Sequence, residues 1–200
     1  MLLTRVAEKL DLITNDPEER FMITGVSWEQ YETLLTELGD GFGYRVRYLK
    51  GILEIMSPSQ RHESYKKLIA MLLETYFVET GINFYPLGST TLRNVASVRG
   101  VEPDECYCLH ENKPLPDLVV EVVITSGGIS SLELYEGLGV REVWFFENQA
   151  FSLYALREGG YEEVTKSELL PALDISLLES CVLSTDSPRE ILLSFRDALH

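Results

Sequence analysis

The apolar positions of this chain change period several times, and each change marks an element. Ser27-Trp28-Glu29-Gln30 carries the N-cap and capping-box residues of a helix start, and Leu34, Leu35 and Leu38 continue an apolar stripe behind it. Residues 1–40 read as mainly helical, interrupted at Thr14-Asn15-Asp16-Pro17 and ended by the stretch from Gly39 to Gly43. Tyr44-Arg45-Val46-Arg47-Tyr48-Leu49 then alternates with period two, Lys50-Gly51 turns the chain, and Ile52 to Met56 returns, which predicts a hairpin. Ser57-Pro58-Ser59 opens a long helix to about Thr80. Its Leu68, Ile69, Leu72, Leu73, Tyr76 and Phe77 recur at helical spacing, with Gly81 as C-cap.

Phe84 to Leu92 and Val101 to Leu109 read as two strands joined by a loop around Arg93 to Gly100. Lys113-Pro114-Leu115-Pro116 leads stiffly into an apolar strand from Leu118 to Ile124. Gly127-Gly128 breaks the chain before a short helix, capped by Ser130 with Glu133 at the capping-box position and ended at Gly139. Val143 to Phe146 and Phe151 to Leu156 read as a last pair of strands, and the tail from Lys166 as small helices. A strand–helix–strand unit from Leu118 to Phe146 predicts a right-handed parallel crossover. The fold class is therefore α/β, a mixed central sheet flanked by helices. At 200 residues the chain fits a single domain. Within it, residues 1–43 would form an N-terminal helical part, 44–156 the core and 157–200 a C-terminal extension.

The strand Leu118 to Ile124 contains a feature that its apolar pattern does not require. A buried parallel strand reads as an unbroken Val/Ile/Leu run, and an ionised Glu121 inside one is costly unless it is paired or binds a metal. Asp117, Val119, Glu121 and Val123 face one way. Asp117 and Glu121 lie roughly 13 Å apart along that face, too far to share one ion. Glu121 needs a partner from another strand, and Asp104, after Pro103, is the best placed. Asp117 is expected at the strand entrance, holding a backbone group.

Composition narrows the class without changing it. The chain is 45% hydrophobic and 24% charged, ordinary for a globular protein. No apolar run approaches the roughly 20 residues of a membrane helix. The early acids Glu8 and Asp11 are unlike a secretory signal, so a cytoplasmic location is expected. Three cysteines make no disulfide framework, and packed thiols are the expected state. The net charge of −15 argues against indiscriminate affinity for nucleic acid. Residues 44–100 nevertheless carry eight basic residues against four acids, which permits a basic face or a solvated surface. Tyr44, Tyr48 and Phe84 could stack on bases or sit in the core.

Several motifs, in this order, resemble the Uma-two family of endonucleases, within the restriction-endonuclease-like PD-(D/E)XK superfamily. They are Glu54-Ile55-Met56-Ser57-Pro58-Ser59 with His62-Glu63, Glu102-Pro103-Asp104, Pro116 to Val122, Leu132-Glu133-Leu134-Tyr135 and Gly139 to Trp144. The resemblance implies Asp104 and Glu121 as ligands of Mg²⁺ or Mn²⁺, with the Val122 carbonyl as a further ligand and Glu63 as an additional acid. It implies DNA as partner and substrate, hydrolysed at a phosphodiester bond, and a homodimer is a compatible assembly.

One position departs from the family's pattern. The lysine common in this branch falls on Ser131, which cannot carry a positive charge. Lys66 and Lys67 could substitute from the long helix or lie on its solvated face. The alternative function is therefore a weakened nuclease fold used as a binding or dimerisation module.

Overall fold

The computed structural model describes residues 20–39, 43–125 and 128–200. The helical reading of residues 1–19, the glycine-rich stretch at 40–42 and the Gly127 break lie outside the described residues. The chain is mixed α/β and forms two compact units, each built on its own sheet.

The first unit gathers the described residues up to Gln60, then Thr91–Glu102 and Thr125–Leu138. Its strands are β1 (Arg20–Thr24), β2 (Arg45–Leu49), β3 (Ile52–Met56), β5 (Leu92–Asn94) and β6 (Arg99–Val101). They pair antiparallel in the order β1-β3-β2-β6-β5. The β2–β3 hairpin turns at Lys50 and Gly51, with φ of 45° and 93°, the left-handed pair that a tight two-residue turn requires. Helix α1 (Trp28–Leu38) starts with the expected capping box between Ser27 and Gln30. Its Tyr31 stacks on Tyr48 of β2 at 4.7 Å, and both rings are buried, so Tyr48 belongs to the core. Helix α3 (Ser131–Glu136) is capped by Ser130, which accepts the Glu133 N–H, and Gly137 rather than Gly139 ends it. The Glu133 carboxylate turns away from the cap to Lys50 at 2.8 Å.

The second unit comprises Arg61–Thr90, Pro103–Ile124 and Gly139–His200. Its strands are β4 (Phe84–Pro86), β7 (Glu105–Leu109), β8 (Leu118–Val123), β9 (Glu142–Glu147), β10 (Ala150–Arg157) and β11 (Gly160–Val164). The order is β11-β10-β9-β8-β7-β4. Only β8 and β9 run parallel among these pairings, as a strand–helix–strand connection requires. Helix α2 (Gln60–Thr80) ends at Gly81, φ 72°, where the Ile82 N–H returns to the Phe77 carbonyl at 2.9 Å. The tail forms α4 (Ile175–Val182) and α5 (Pro188–Ala198).

One core joins these elements. Ile69, Leu72, Leu73, Tyr76 and Phe77 of α2 pack with Leu118, Val120 and Val122 of β8, Trp144 of β9, and Leu178 and Phe195 of the tail. That assignment fixes the pleat of β8. Its even-numbered side chains face α2, so Val119, Glu121 and Val123 face the other way.

Two strand readings need correction. Phe84 to Leu92 is not one strand: the chain turns at Leu87–Thr90, where the Thr90 N–H reaches the Leu87 carbonyl, and β4 and β5 enter different sheets. Val101 to Leu109 likewise divides at Pro103, which has no N–H for a ladder, into β6 and β7. Strands β1 and β11 are additions that the sequence pattern did not announce.

Candidate functional site

The site residues expected from sequence fall mostly in the second unit, at the end of β7, along β8 and in the first turns of α2. The β7–β8 ladder runs from Tyr107 opposite Leu118 to Glu105 opposite Val120. Continuing that register by one step sets Asp104 beside Glu121. Proline at 103 stops the strand, and the Asp104 side chain takes over where its backbone leaves off. Its Oδ2 accepts the Val122 N–H at 2.8 Å, closing a bond that a continuing strand would have made. Asp104 and Glu121 are 3% and 1% exposed. Val122 thus engages Asp104 through its N–H.

Helix α2 adds three side chains. His62 is fully buried, and its Nε2 lies 3.1 Å from Asp104 Oδ2. Glu63 stands beside it, 3.7 Å from His62 Nδ1, and holds the Lys66 Nζ at 2.9 Å. The Lys66 side chain is only 7% exposed, against 68% for Lys67, so the solvated-face reading fits Lys67 alone. Lys67 reaches Glu105 at 3.6 Å. Burial pushes the Glu105 carboxyl above its usual range, and the charges of Lys67 and Lys66 oppose that shift.

Sequence reasoning named His62 only within a family-like motif and did not separate Lys66 from Lys67, yet a signal was present. Positions 62, 66, 69, 73 and 76 all fall on the buried stripe of α2. A histidine and a lysine four residues apart occupy its first two places, where hydrocarbon would serve packing better.

The remaining candidates have structural surroundings. Asp117 accepts the Leu109 N–H at 2.8 Å and pairs with Lys113 at 2.7 Å, the backbone-holding part expected of it. Glu102, in the first unit, accepts from Val46 N–H and Thr91 Oγ1. Glu54 is 1% exposed in β3, accepts the Ile129 N–H at 2.7 Å and lies 3.7 Å from Arg47. Ser131 is the first residue of α3 in the first unit, directly after the cap. All three cysteines are free and buried; burial, with Cys108, Glu105 and Glu121 nearby, pushes the Cys106 thiol up to about 12, so it is inert as a nucleophile.

The donor set suits a hard cation. Asp104 and Glu121 supply two buried carboxylates at the end of the β7–β8 ladder, and Glu63 stands beyond His62 on α2. Among the described residues no group of three or more His, Cys, Asp or Glu is placed to hold a metal ion. Two carboxylates with the remaining places left to water and phosphate is nonetheless the manner in which proteins hold Mg²⁺.

The mixed sheet, the acids on adjoining strands and the surrounding helices define an α/β protein consistent with the restriction-endonuclease-like fold. Residues 28–185 match the Uma2 family, described as "Putative restriction endonuclease", and the chain belongs to that family. No curated protein matches the chain. Among the described residues no helix is long and apolar enough to cross a membrane.

Proposed function

We propose that this chain is a Mg²⁺- or Mn²⁺-dependent endonuclease that hydrolyses phosphodiester bonds in DNA, with Asp104 and Glu121 as the metal-binding carboxylates. The observation that carries the reading is the pair of buried acids that fall opposite each other one step beyond the β7–β8 ladder, one of them fastened by the Val122 N–H. Burying two carboxylates so close together is unfavourable unless a cation compensates them. Asp104 and Glu121 would hold such an ion, which would polarise the scissile phosphate and lower the pKa of a bound water.

The chain's own residues do the rest. The Val122 N–H holds the Asp104 carboxylate, with the His62 ring 3.1 Å from it, so it need not reorganise when charge develops. Glu121 is held by β8, which pairs with β9 from Leu118 to Val123 and with β7 from Leu118 to Val120. In the reaction a water oxygen bonds to phosphorus while the ester P–O bond breaks. The products are a phosphate monoester and a hydroxyl, whose oxygen takes up a proton, and no covalent enzyme intermediate forms.

A second reading, a binding or dimerisation module on the same fold, is favoured by one residue. Ser131 stands where the family resemblance calls for lysine. Supercoiled plasmid incubated with Mg²⁺ or Mn²⁺ separates the two. Wild type is expected to nick it, and Asp104→Ala and Glu121→Ala to lose on the order of 10²–10³ in rate or more. By the resemblance, Ser131→Lys should raise the wild-type rate. Nicking that survives both alanine substitutions removes the proposed site, and no nicking with either metal favours the module.

A further inference from the structure

Lys66 is buried in a place where its ion pair alone does not explain it. Taking an ammonium out of water costs several kcal/mol after relaxation, even when a partner waits. Its partner, Glu63, has a side chain 38% exposed and could be satisfied by any solvent-facing lysine. Lys67 shows that arrangement, reaching Glu105 while 68% exposed. The chain instead drives the Lys66 stem into the buried stripe of α2, one turn after His62.

The surroundings say what the charge does there. His62 lies 3.1 Å from Asp104, and Glu63 bridges towards both His62 and Lys66. A buried cation is thereby linked to Asp104 through Glu63 and His62, on the α2 side. Attack on a phosphodiester increases negative charge on the phosphate oxygens and on the leaving oxygen. A fixed ammonium in a water-poor site stabilises that charge far more than the same group in solvent.

We propose that Lys66 is the cationic residue of this site, stabilising from helix α2 the charge that develops on the phosphate, a part that serine at 131 cannot play. The inference rests on the phosphodiesterase reading and names the group that serves its transition state. It requires Lys66 to contribute to rate through its charge, whereas a merely structural lysine would contribute only to stability.

The test uses the full chain with Lys66→Met, which keeps the length and apolar stem, and Lys66→Arg, which keeps the charge. Plasmid nicking is followed with Mn²⁺, and Mn²⁺ binding is measured separately by electron paramagnetic resonance without DNA. The Met variant should nick on the order of 10²–10³ more slowly, the loss typical of one transition-state contact. It should also bind Mn²⁺ several-fold more tightly, because a like charge has gone. The Arg variant should stay within about tenfold of wild type in rate, the charge being kept. A folded Met variant that nicks at the wild-type rate and binds Mn²⁺ unchanged overturns the inference while leaving the phosphodiesterase reading intact. Should the Met variant fail to fold, a folded Arg variant that has lost activity beyond a hundredfold overturns it instead. Wild type that never nicks sinks the phosphodiesterase reading, and this inference with it.

Discussion

Each unit buries an acid in the middle of its sheet, but their surroundings differ. In the first, Glu54 of β3 lies within ion-pair distance of Arg47 and Arg20 and takes the Ile129 N–H. In the second, Glu142 of β9 accepts four hydrogen bonds, from Trp144 Nε1, Ser167 Oγ and the N–H groups of Glu168 and Leu169. Asp104, two strands from Glu142, has the Val122 N–H and the His62 ring as its named contacts, with Glu121 as its neighbour in register. Burial alone therefore does not mark a reactive carboxylate. Glu54 and Glu142 are surrounded by donors or cations that match their charge, as structural acids are. Asp104 has a second buried acid, Glu121, opposite it in register, an arrangement that makes sense for binding a further cation.

The comparison breaks most visibly by neutralising one acid of each kind. Asp104→Asn and Glu121→Gln keep shape and hydrogen-bonding capacity, and should cut the nicking rate on the order of 10³-fold. Their unfolding free energy in urea should hold or rise, by up to about 2 kcal/mol, because a like charge is withdrawn from a buried pair. A loss of stability that parallels the loss of rate would put Asp104 and Glu121 in the same class as Glu142.

Glu142→Gln is the converse. It turns an amide N–H₂ towards donors that now lack an acceptor, and should cost about 2–4 kcal/mol in the same urea experiment. The nicking rate per folded molecule should stay at the wild-type level. Glu142 sits inside the family-like run from Gly139 to Trp144, yet what it does is anchor the turn at Ser167–Leu169. An equal loss of rate in the folded variant would assign that run to the reaction.

Those contrasts also show what the sequence could reveal. Glu121 stood out because an acid interrupts an apolar run, and Asp104 because proline precedes it at a strand end; both are local signals. The β2–β3 hairpin, α2 and β8 were legible for the same reason, each having one strong period and a clear turn or cap. The burial of His62 and the choice of Lys66 over Lys67 were not, because a search for apolar recurrence begins the α2 stripe at Leu68 and skips polar side chains on the same face. Strand β1 buries only Ile23 among its five residues, too little alternation to outweigh the helical stretch beside it. Strand β11 carries exposed Glu162 and Glu163, the charges that protect an edge and erase its apolar signature. The division of the 84–92 and 101–109 segments between two sheets depends on pairing partners remote in sequence, which no local pattern encodes.

An exposed acid sets the lower limit of the comparison. Glu133 pairs with Lys50 at 2.8 Å, and that hydrogen bond holds its carboxyl below the usual range, though both side chains face solvent. A depressed folded pKa means that the pair's contribution is complete above the unfolded value, near 4.3, and is lost as pH falls through the folded one. Solvent screening keeps it small, at most about 0.5 kcal/mol. Glu133→Gln should therefore lower stability slightly at pH 6 and not at all near pH 3, and moderate salt should erase even the difference at pH 6. Urea midpoints for the two proteins at both pH values check this. A deficit that persists at pH 3 would show that Glu133 acts through helix α3 itself, rather than through its charge on Lys50.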